Sequence, residues 1–414
     1  MSLTKQNLKD LLPSSTLLIN EICKELTSKG KTVYQFGFGQ SPFPVPDSIV
    51  QALKNNAHQK DYLPSKGLLE LRKSISNFLT NKGYKNLNHE NIIIGPGSKE
   101  LMFLLQVAFD GEIILPVPSW VSYAPQAIIA KNKYHWIQTD KNTNWHISPE
   151  HIDKIASQIE SENKLIILNS PNNPSGTNIH LLKELGEVFT KHNFTVLSDE
   201  IYSELYFKDN YKSISHFHEN TIVSSSLSKW AGAGGWRVGY FAVPNSLIEI
   251  FEKLAVLGTE TFSAVSAPSQ FAAITAYRDD HSKYLDKVKK ILHLIAHYVY
   301  EQLKQENVEM IEPEGGFYLM PDFTKLLSHK FKNSKAFCKT LLDETGVAVL
   351  PGSDFGFSHD KLIFRLSYVD FNGSKFLEAD DDEIIEENLS KFAPKIVDGV
   401  QPVSYTHLTL PTIE

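Results

Sequence analysis

From about Asp47 onward the chain alternates between two hydrophobic patterns: short, continuous apolar runs rich in β-branched residues, and longer stretches with apolar positions three and four apart. The runs at residues 91–94, 112–115, 164–169, 195–198, 221–225 and 237–243 are predicted as strands, several of them ending directly in polar loops. Between them, Leu101, Leu104, Leu105 and Ala108, and again Leu181, Leu182, Leu185 and Phe189, are spaced to share one face of a helix. Apolar strands alternating with amphipathic helices predict an α/β fold, a mainly parallel sheet flanked by helices.

The rhythm changes after residue 281. Residues 281–306 read as one long helix, and 316–323, 347–350 and 362–369 as strands of a separate, smaller α+β unit. The expected organisation is a large domain over 47–303 and a small domain built from the arm 1–46 together with 304–400. The acidic run 380–383 is expected as a solvated helix start. The last residues break the pattern: 402–412 read P-V-S-Y-T-H-L-T-L-P-T, resembling the translation of a transposon-end adapter. Residues 402–414 are therefore set aside as a non-native tail.

Composition narrows the function. The chain has 414 residues, 42% of them hydrophobic and 21% charged, which is an ordinary globular balance with enough length for a large core. Its net charge of −7 offers no broad cationic face, so neither nucleic acid nor anionic lipid is an expected partner. Cys23 and Cys338 form no C-x-x-C pattern, which fits a reducing compartment. Residues 1–9 lack a signal-peptide pattern, and no apolar run approaches the roughly eighteen residues a membrane span needs. A cytoplasmic location is expected.

Three segments carry chemistry. In S-S-S-L-S-K-W-A-G-A-G-G-W-R-V-G-Y, residues 224–240, Lys229 follows an apolar strand and is surrounded by small hydroxyl and glycine residues, so its amine has room to form a Schiff base. Residues 170–177, S-P-N-N-P-S-G-T, form a turn-rich peptide with amide donors at the end of another strand. In S-D-E-I-Y, residues 198–202, Asp199 leaves a strand end and Tyr202 follows, so that one helical turn would bring both to a common side. Singly, these are ordinary caps, turns and surface lysines.

Together, N-N-P-x-G-T, S-D-E-I-Y and S-x-S-K followed eight residues later by Arg237 resemble the class I/II aminotransferases, pyridoxal-phosphate enzymes of fold type I, over about residues 37–370. The resemblance implies that Lys229 binds the aldehyde of pyridoxal 5′-phosphate and acts as base at the substrate Cα. It implies that Asp199 pairs with the pyridine nitrogen, and that Tyr202 and Asn173 hydrogen-bond the ring's phenolic oxygen. Ser226, Arg237 and the loop Gly97, Ser98 and Lys99 match phosphate ligands. Tyr62 matches a tyrosine reaching the neighbouring subunit's phosphate, which implies a homodimer with shared sites. Trp120 matches the residue stacked on the cofactor ring, Arg365 the one gripping the substrate α-carboxylate, and Gly39 a glycine on a small-domain strand lying against the substrate. The implied reaction is ping-pong transfer of an α-amino group from an amino acid to a 2-oxo acid.

The same scaffold also supports β-elimination of sulfur amino acids, which forms pyruvate without an added 2-oxo acid. The amino donor stays open as well. Some aspartate-using members carry a lysine in the phosphate loop where this chain matches Ser98, with Lys99 one residue on. Residues 95–99, G-P-G-S-K, lack the ending of a nucleotide-binding loop. His293 and His297, four apart on the long helix, and His216 and His218 have no third ligand at metal spacing, so no metal is expected.

Overall fold

The apolar runs form strands because little of them reaches water on either face. In the computed structural model, which describes residues 3–404, they are bounded as follows. The strand β1 (Tyr34–Gln35) belongs to the N-terminal arm. It is followed by β2 (Ile92–Gly95), β3 (Glu112–Val117), β4 (Tyr134–Gln138), β5 (Lys164–Asn169), β6 (Phe194–Asp199), β7 (Thr221–Ser226) and β8 (Gly239–Ala242). The last four are β9 (Tyr318–Leu319), β10 (Val347–Ala348), β11 (Leu350–Pro351) and β12 (Phe364–Ser367).

Strands β2 to β8 make one mixed sheet in the order β2-β8-β7-β6-β5-β3-β4. All pairs are parallel except the two involving β8, which runs against its neighbours β2 and β7. Helices such as Ser98–Ala108 and Leu182–Lys191 pack on the sheet and complete the α/β fold, their buried Leu101, Leu104 and Leu105, and Leu185 and Phe189, facing it. Parallel alignment gives β2, β5, β6 and β7 a common carboxyl edge. Asn169 lies opposite Asp199, Asp199 opposite Ser224, and both Gly95 and Ser226 opposite Gly239. Ligands of open α/β sheets bind at this edge.

The remaining strands form two small sheets, β11-β12-β9, which is antiparallel, and the parallel pair β1-β10. The long helix Ser282–Leu303 runs from one region to the other, and its buried Ile291, Leu292, Ile295 and Val299 belong to a core shared with Phe317, Leu319, Phe364 and Leu366. No helix of the described residues is long and apolar enough to cross a membrane.

Several local expectations need correction. Strand β4, Y-H-W-I-Q, was not anticipated, because it is a half-exposed sheet edge and lacks a continuous apolar run. The run at 237–243 shortens at its start: Arg237 adopts a left-handed φ of 56° that ends the turn Gly234–Trp236 before β8 begins. Only Tyr318–Leu319 of 316–323 is strand, since Gly316 turns the chain with φ 69° and Pro321 has no N–H for the ladder. Gly39 lies in a loop beyond β1, not on a strand. Residues 380–383 are coil and turn, with Glu383 bonded to Lys391 at 2.7 Å, and the next helical turn starts at Glu386. Of the stretch set aside at the C-terminus, Pro402 to Ser404 end the helix Pro394–Ser404 with Val403 buried, and 405–414 lie outside the described residues.

Candidate active site

A cavity of about 420 Å³ opens at the carboxyl edge of the sheet, between it and the small sheets. The large sheet and its loops contribute Asn169, Asn173, Asp199, Tyr202 and Lys229, while Phe38, Gly39, Tyr318 and Arg365 come from the other side. Ser98, Lys99, Trp120 and Arg237 complete the wall.

Asp199 is the last residue of β6 and is buried. Its Oδ2 accepts from the Tyr123 hydroxyl at 2.6 Å, while Oδ1 has no partner. Burial raises its pKa from 3.8 to about 6, against the hydrogen bonds from Tyr123 and the Ile201 backbone and the charge of Lys229. A buried carboxylate oxygen without a donor is costly unless a ligand supplies one. The next residue points away from the cavity: Glu200 is wholly buried, its Oε1 accepting from Ser198 at 2.8 Å and also from Ser213, its Oε2 from Tyr84. Tyr202 reaches the cavity through irregular chain and not through the expected turn of α-helix.

Lys229 sits just past β7 and donates from Nζ to the Gly39 carbonyl at 2.7 Å. Its ammonium has no carboxylate within salt-bridge distance among the described residues.

The loop 170–177 is held by its own polar atoms. Asn173 N–H donates to Asn169 Oδ1 at 2.6 Å, Asn169 Nδ2 donates to the Asp199 carbonyl at 2.8 Å, and Gly176 N–H donates to the Asn172 carbonyl at 2.8 Å. Gly176 has φ 73°, and a Cβ there would come within 2.3 Å of the Tyr318 carbonyl, so glycine permits both the turn and the close approach of β9.

Arg365, on β12, is 1% exposed. It donates from Nη1 to Asn173 Oδ1 at 3.0 Å and from Nη2 to the Gly37 carbonyl at 2.5 Å, while Nε has no partner. Burial lowers its pKa, and neither hydrogen-bond acceptor carries a charge. A desolvated cation held by neutral acceptors is a seat for an anion.

On the opposite wall, Gly97 caps the helix Ser98–Ala108 with φ 84°, and its missing Cβ would lie 2.2 Å from Arg237 Nη2. Arg237 donates to the Gly234 and Pro96 carbonyls at 2.8 and 3.2 Å. A guanidinium beside the free N–H groups of a helix start favours a phosphate. Lys99 Nζ stands 5.4 Å from the centre of the Trp120 ring, and burial followed by the charge of Arg237 lowers its pKa.

Most of the residues singled out in the sequence thus line one cavity. Three do not. Ser226 lies fully buried beneath it, accepting from Ser228 N–H at 3.1 Å, and Ser228 takes its place in the wall. Gly97 acts through backbone and space, and Tyr62 is 92% exposed, away from this chain's own cavity. Sequence reasoning missed Tyr123, which donates to Asp199 from outside the cavity wall, and Tyr318 in that wall, both of which read as core tyrosines, and the arm residues Ser14, Thr16 and Leu17, which line the cavity too. His293 stacks on Phe207 and His297 bonds Glu312 at 2.7 Å. The described residues hold no cluster of three or more His, Cys, Asp or Glu fit for a metal.

An amine and a buried acid from the edge of the large sheet thus share one cavity with an anion-seeking arginine from the small sheet. Comparison with known proteins gives the family: residues 31–372 match the model described as aminotransferase class I and II, and the chain belongs to it. It is 34% identical over 373 residues to the aspartate aminotransferase of Bacillus subtilis, covering 86% of this chain and 92% of that one. It is 29% identical over 384 residues to the asparagine–oxo-acid transaminase of Streptococcus mutans, covering 89% and 95%. The crystal structure of the Thermotoga maritima aspartate aminotransferase superposes with a TM-score of 0.81 at 25% identity, covering 98% and 100%. The aromatic aminotransferase of Pyrococcus horikoshii gives 0.77 at 25%, covering 92% and 97%. The protein is an aminotransferase, transferring an amino group from an amino acid to a 2-oxo acid.

Proposed function

We propose that the enzyme uses pyridoxal 5′-phosphate, works as a homodimer, and takes a dicarboxylic amino acid of the aspartate type as donor. The observation that carries the cofactor assignment is the unpartnered, buried Oδ1 of Asp199 in the same cavity as the Lys229 amine. The donor set agrees with it: a carboxylate for a ring N–H, an amine for an aldehyde, and a guanidinium with a helix start for a phosphate.

When bound, pyridoxal phosphate supplies an aldehyde that condenses with amines and a protonated ring that accepts the electron pair released at Cα. Asp199 would hold the ring nitrogen in its protonated form, since its Oδ1 is free to accept a hydrogen bond. Lys229 would hold the cofactor through its aldehyde and, with its amine free, would take the substrate Cα proton on Nζ and give it back. Tyr202 and Asn173 would donate to the cofactor's phenolic oxygen, Trp120 would lie against its ring, and Arg237 with the backbone of Gly97, Ser98 and Lys99 would hold the phosphate. Arg365 takes the α-carboxylate as a bidentate pair, with Gly39 lining the substrate's path. Tyr62 serves the partner's phosphate, which suits a tyrosine so exposed on one chain. The division into domains over 47–303 and over 1–46 with 304–400 places the site where the two meet, and a cytoplasmic location suits the reaction.

Support for a dicarboxylic donor comes from relatives named aspartate aminotransferases and from Lys99, a cation in the wall with no acidic partner among the described residues. The test is a panel of aspartate, asparagine, alanine and phenylalanine against 2-oxoglutarate and pyruvate, with Lys229→Ala as control. Aspartate is expected to lead and Lys229→Ala to be inert. Preference for alanine or phenylalanine refutes the donor assignment, and many turnovers of pyruvate from a sulfur amino acid such as cystathionine, without an added 2-oxo acid, identify a lyase.

A further inference from the structure

Tyr318 has no part in the roles above, yet its side chain touches two of the groups that do. It lies on β9 opposite Ser367 of β12 and is 1% exposed. Its hydroxyl is 3.0 Å from the Tyr202 hydroxyl, with the two rings edge to face at 5.7 Å. Its ring face lies 4.5 Å from Arg365 Cζ. Gly39 makes the room: a Cβ there would fall 1.9 Å from the Tyr318 oxygen, and the Gly39 carbonyl is the acceptor of the Lys229 ammonium.

We propose that Tyr318 is a positioning residue with two separable parts: its hydroxyl sets the donor strength of the Tyr202 phenol, and its ring seats Arg365 for the substrate carboxylate. This rests on the cofactor reading given above. A buried phenol has one proton to give. If Tyr318 donates to Tyr202, the Tyr202 proton is free for the cofactor's phenolic oxygen, and a hydroxyl that accepts one hydrogen bond donates a stronger one. The ring answers a different need. Arg365 is buried with only neutral acceptors, and an aromatic face supplies negative potential without competing for the N–H groups that a carboxylate must use. Polar occupants of that position, unlike a ring, would pull those N–H groups away.

Two variants of the holoenzyme separate the parts. Tyr318→Phe keeps the ring and its volume and loses only the hydroxyl, whereas Tyr318→Leu loses both. The first readout is the pH midpoint of the visible band of the enzyme-bound cofactor, which reports the proton affinity of the nitrogen joined to Lys229. Donation from Tyr202 lowers that affinity, so weakening it raises the midpoint. The lost bond acts by weakening the next one by about 10 to 30%, which corresponds to an upward shift of about 0.1 to 0.7 pH unit, expected in both variants. The second readout is the dissociation constant of succinate, a carboxylate ligand with no amine to react. It is expected to stay within about twofold of wild type in Tyr318→Phe and to weaken by about tenfold in Tyr318→Leu. A Tyr318→Phe midpoint equal to or below that of wild type overturns the hydroxyl role, and equal succinate affinity in the two variants overturns the ring role. A wild-type protein that acquires no such band refutes the cofactor reading, and this inference with it. A normal band with an unmoved midpoint refutes the hydroxyl role and leaves the cofactor reading standing.

Discussion

Glu200 should make the enzyme lose stability as pH rises from about 4.5 to about 7, and Glu200→Gln should remove that loss. The carboxyl is wholly buried at the end of β6, and burial raises its pKa from 4.5 to about 7 despite the hydroxyls of Ser213, Tyr84 and Ser198. Between those two pH values the folded chain keeps a proton that the unfolded chain has released. Stability therefore falls as pH rises through this window and is flat above it. Each pKa unit is worth about 1.4 kcal/mol, so the contribution lost between about pH 5 and about pH 8 is about 2 to 3 kcal/mol. Glutamine is nearly isosteric, cannot titrate, and leaves the three hydroxyls able to rotate to its amide. Equilibrium urea denaturation of both proteins across this range gives their stability difference at each pH, in which the cofactor's own contribution cancels. The variant should gain about 2 to 3 kcal/mol on wild type from the acid to the alkaline end. A difference constant to within about 0.5 kcal/mol would mean that the hydroxyls hold Glu200 ionised throughout, and the burial argument would fail.

Two further outcomes follow from the same edge of the sheet. Asp199→Asn should lower kcat by about 100- to 10,000-fold, since an amide cannot keep a ring nitrogen protonated, while urea stability at neutral pH is retained or raised because a buried carboxyl is gone. Retained turnover would contradict the pairing. Gly97→Ala combines a left-handed φ of 84° with a Cβ 2.2 Å from Arg237 Nη2, so it should cost about 1 to 2 kcal/mol of stability and loosen cofactor binding by at least about tenfold in an absorbance titration. Unchanged cofactor affinity would show that Arg237 needs no such space.

The fold was legible wherever burial is two-sided. Strands β3, β5 and β6 each carry a short apolar run that is buried on both faces, whereas β7 is only apolar at Ile222 and Val223 before its three buried serines. Legibility failed at β4, whose edge position leaves Tyr134, His135 and Trp136 partly exposed, and at the small sheets, where glycine and proline cut strands to two residues. Within the site, Lys229, Asp199 and Arg365 stood out because a charge in an apolar strand or at its end needs a reason. Tyr123 and Tyr318 did not, because a tyrosine in an apolar stretch looks the same whether its hydroxyl faces an acid, another phenol or a backbone carbonyl. Ser226 and Ser228 show a third limit: spacing from the lysine identifies both, but only the turn after β7 decides which one meets the cavity.

β6 ends on one acid and a second follows it directly, and the zigzag of the extended chain sends them to opposite sides: one into a chamber where an oxygen lacks a partner, the other into a nest of hydroxyls. Inserting or deleting a single residue ahead of Asp199 would send each acid to the other side while leaving both in the sequence. The length of this strand is therefore as much a part of the chemistry as the carboxylate it carries, and a redesign that respects every side chain but miscounts β6 by one would build a folded protein facing the wrong way.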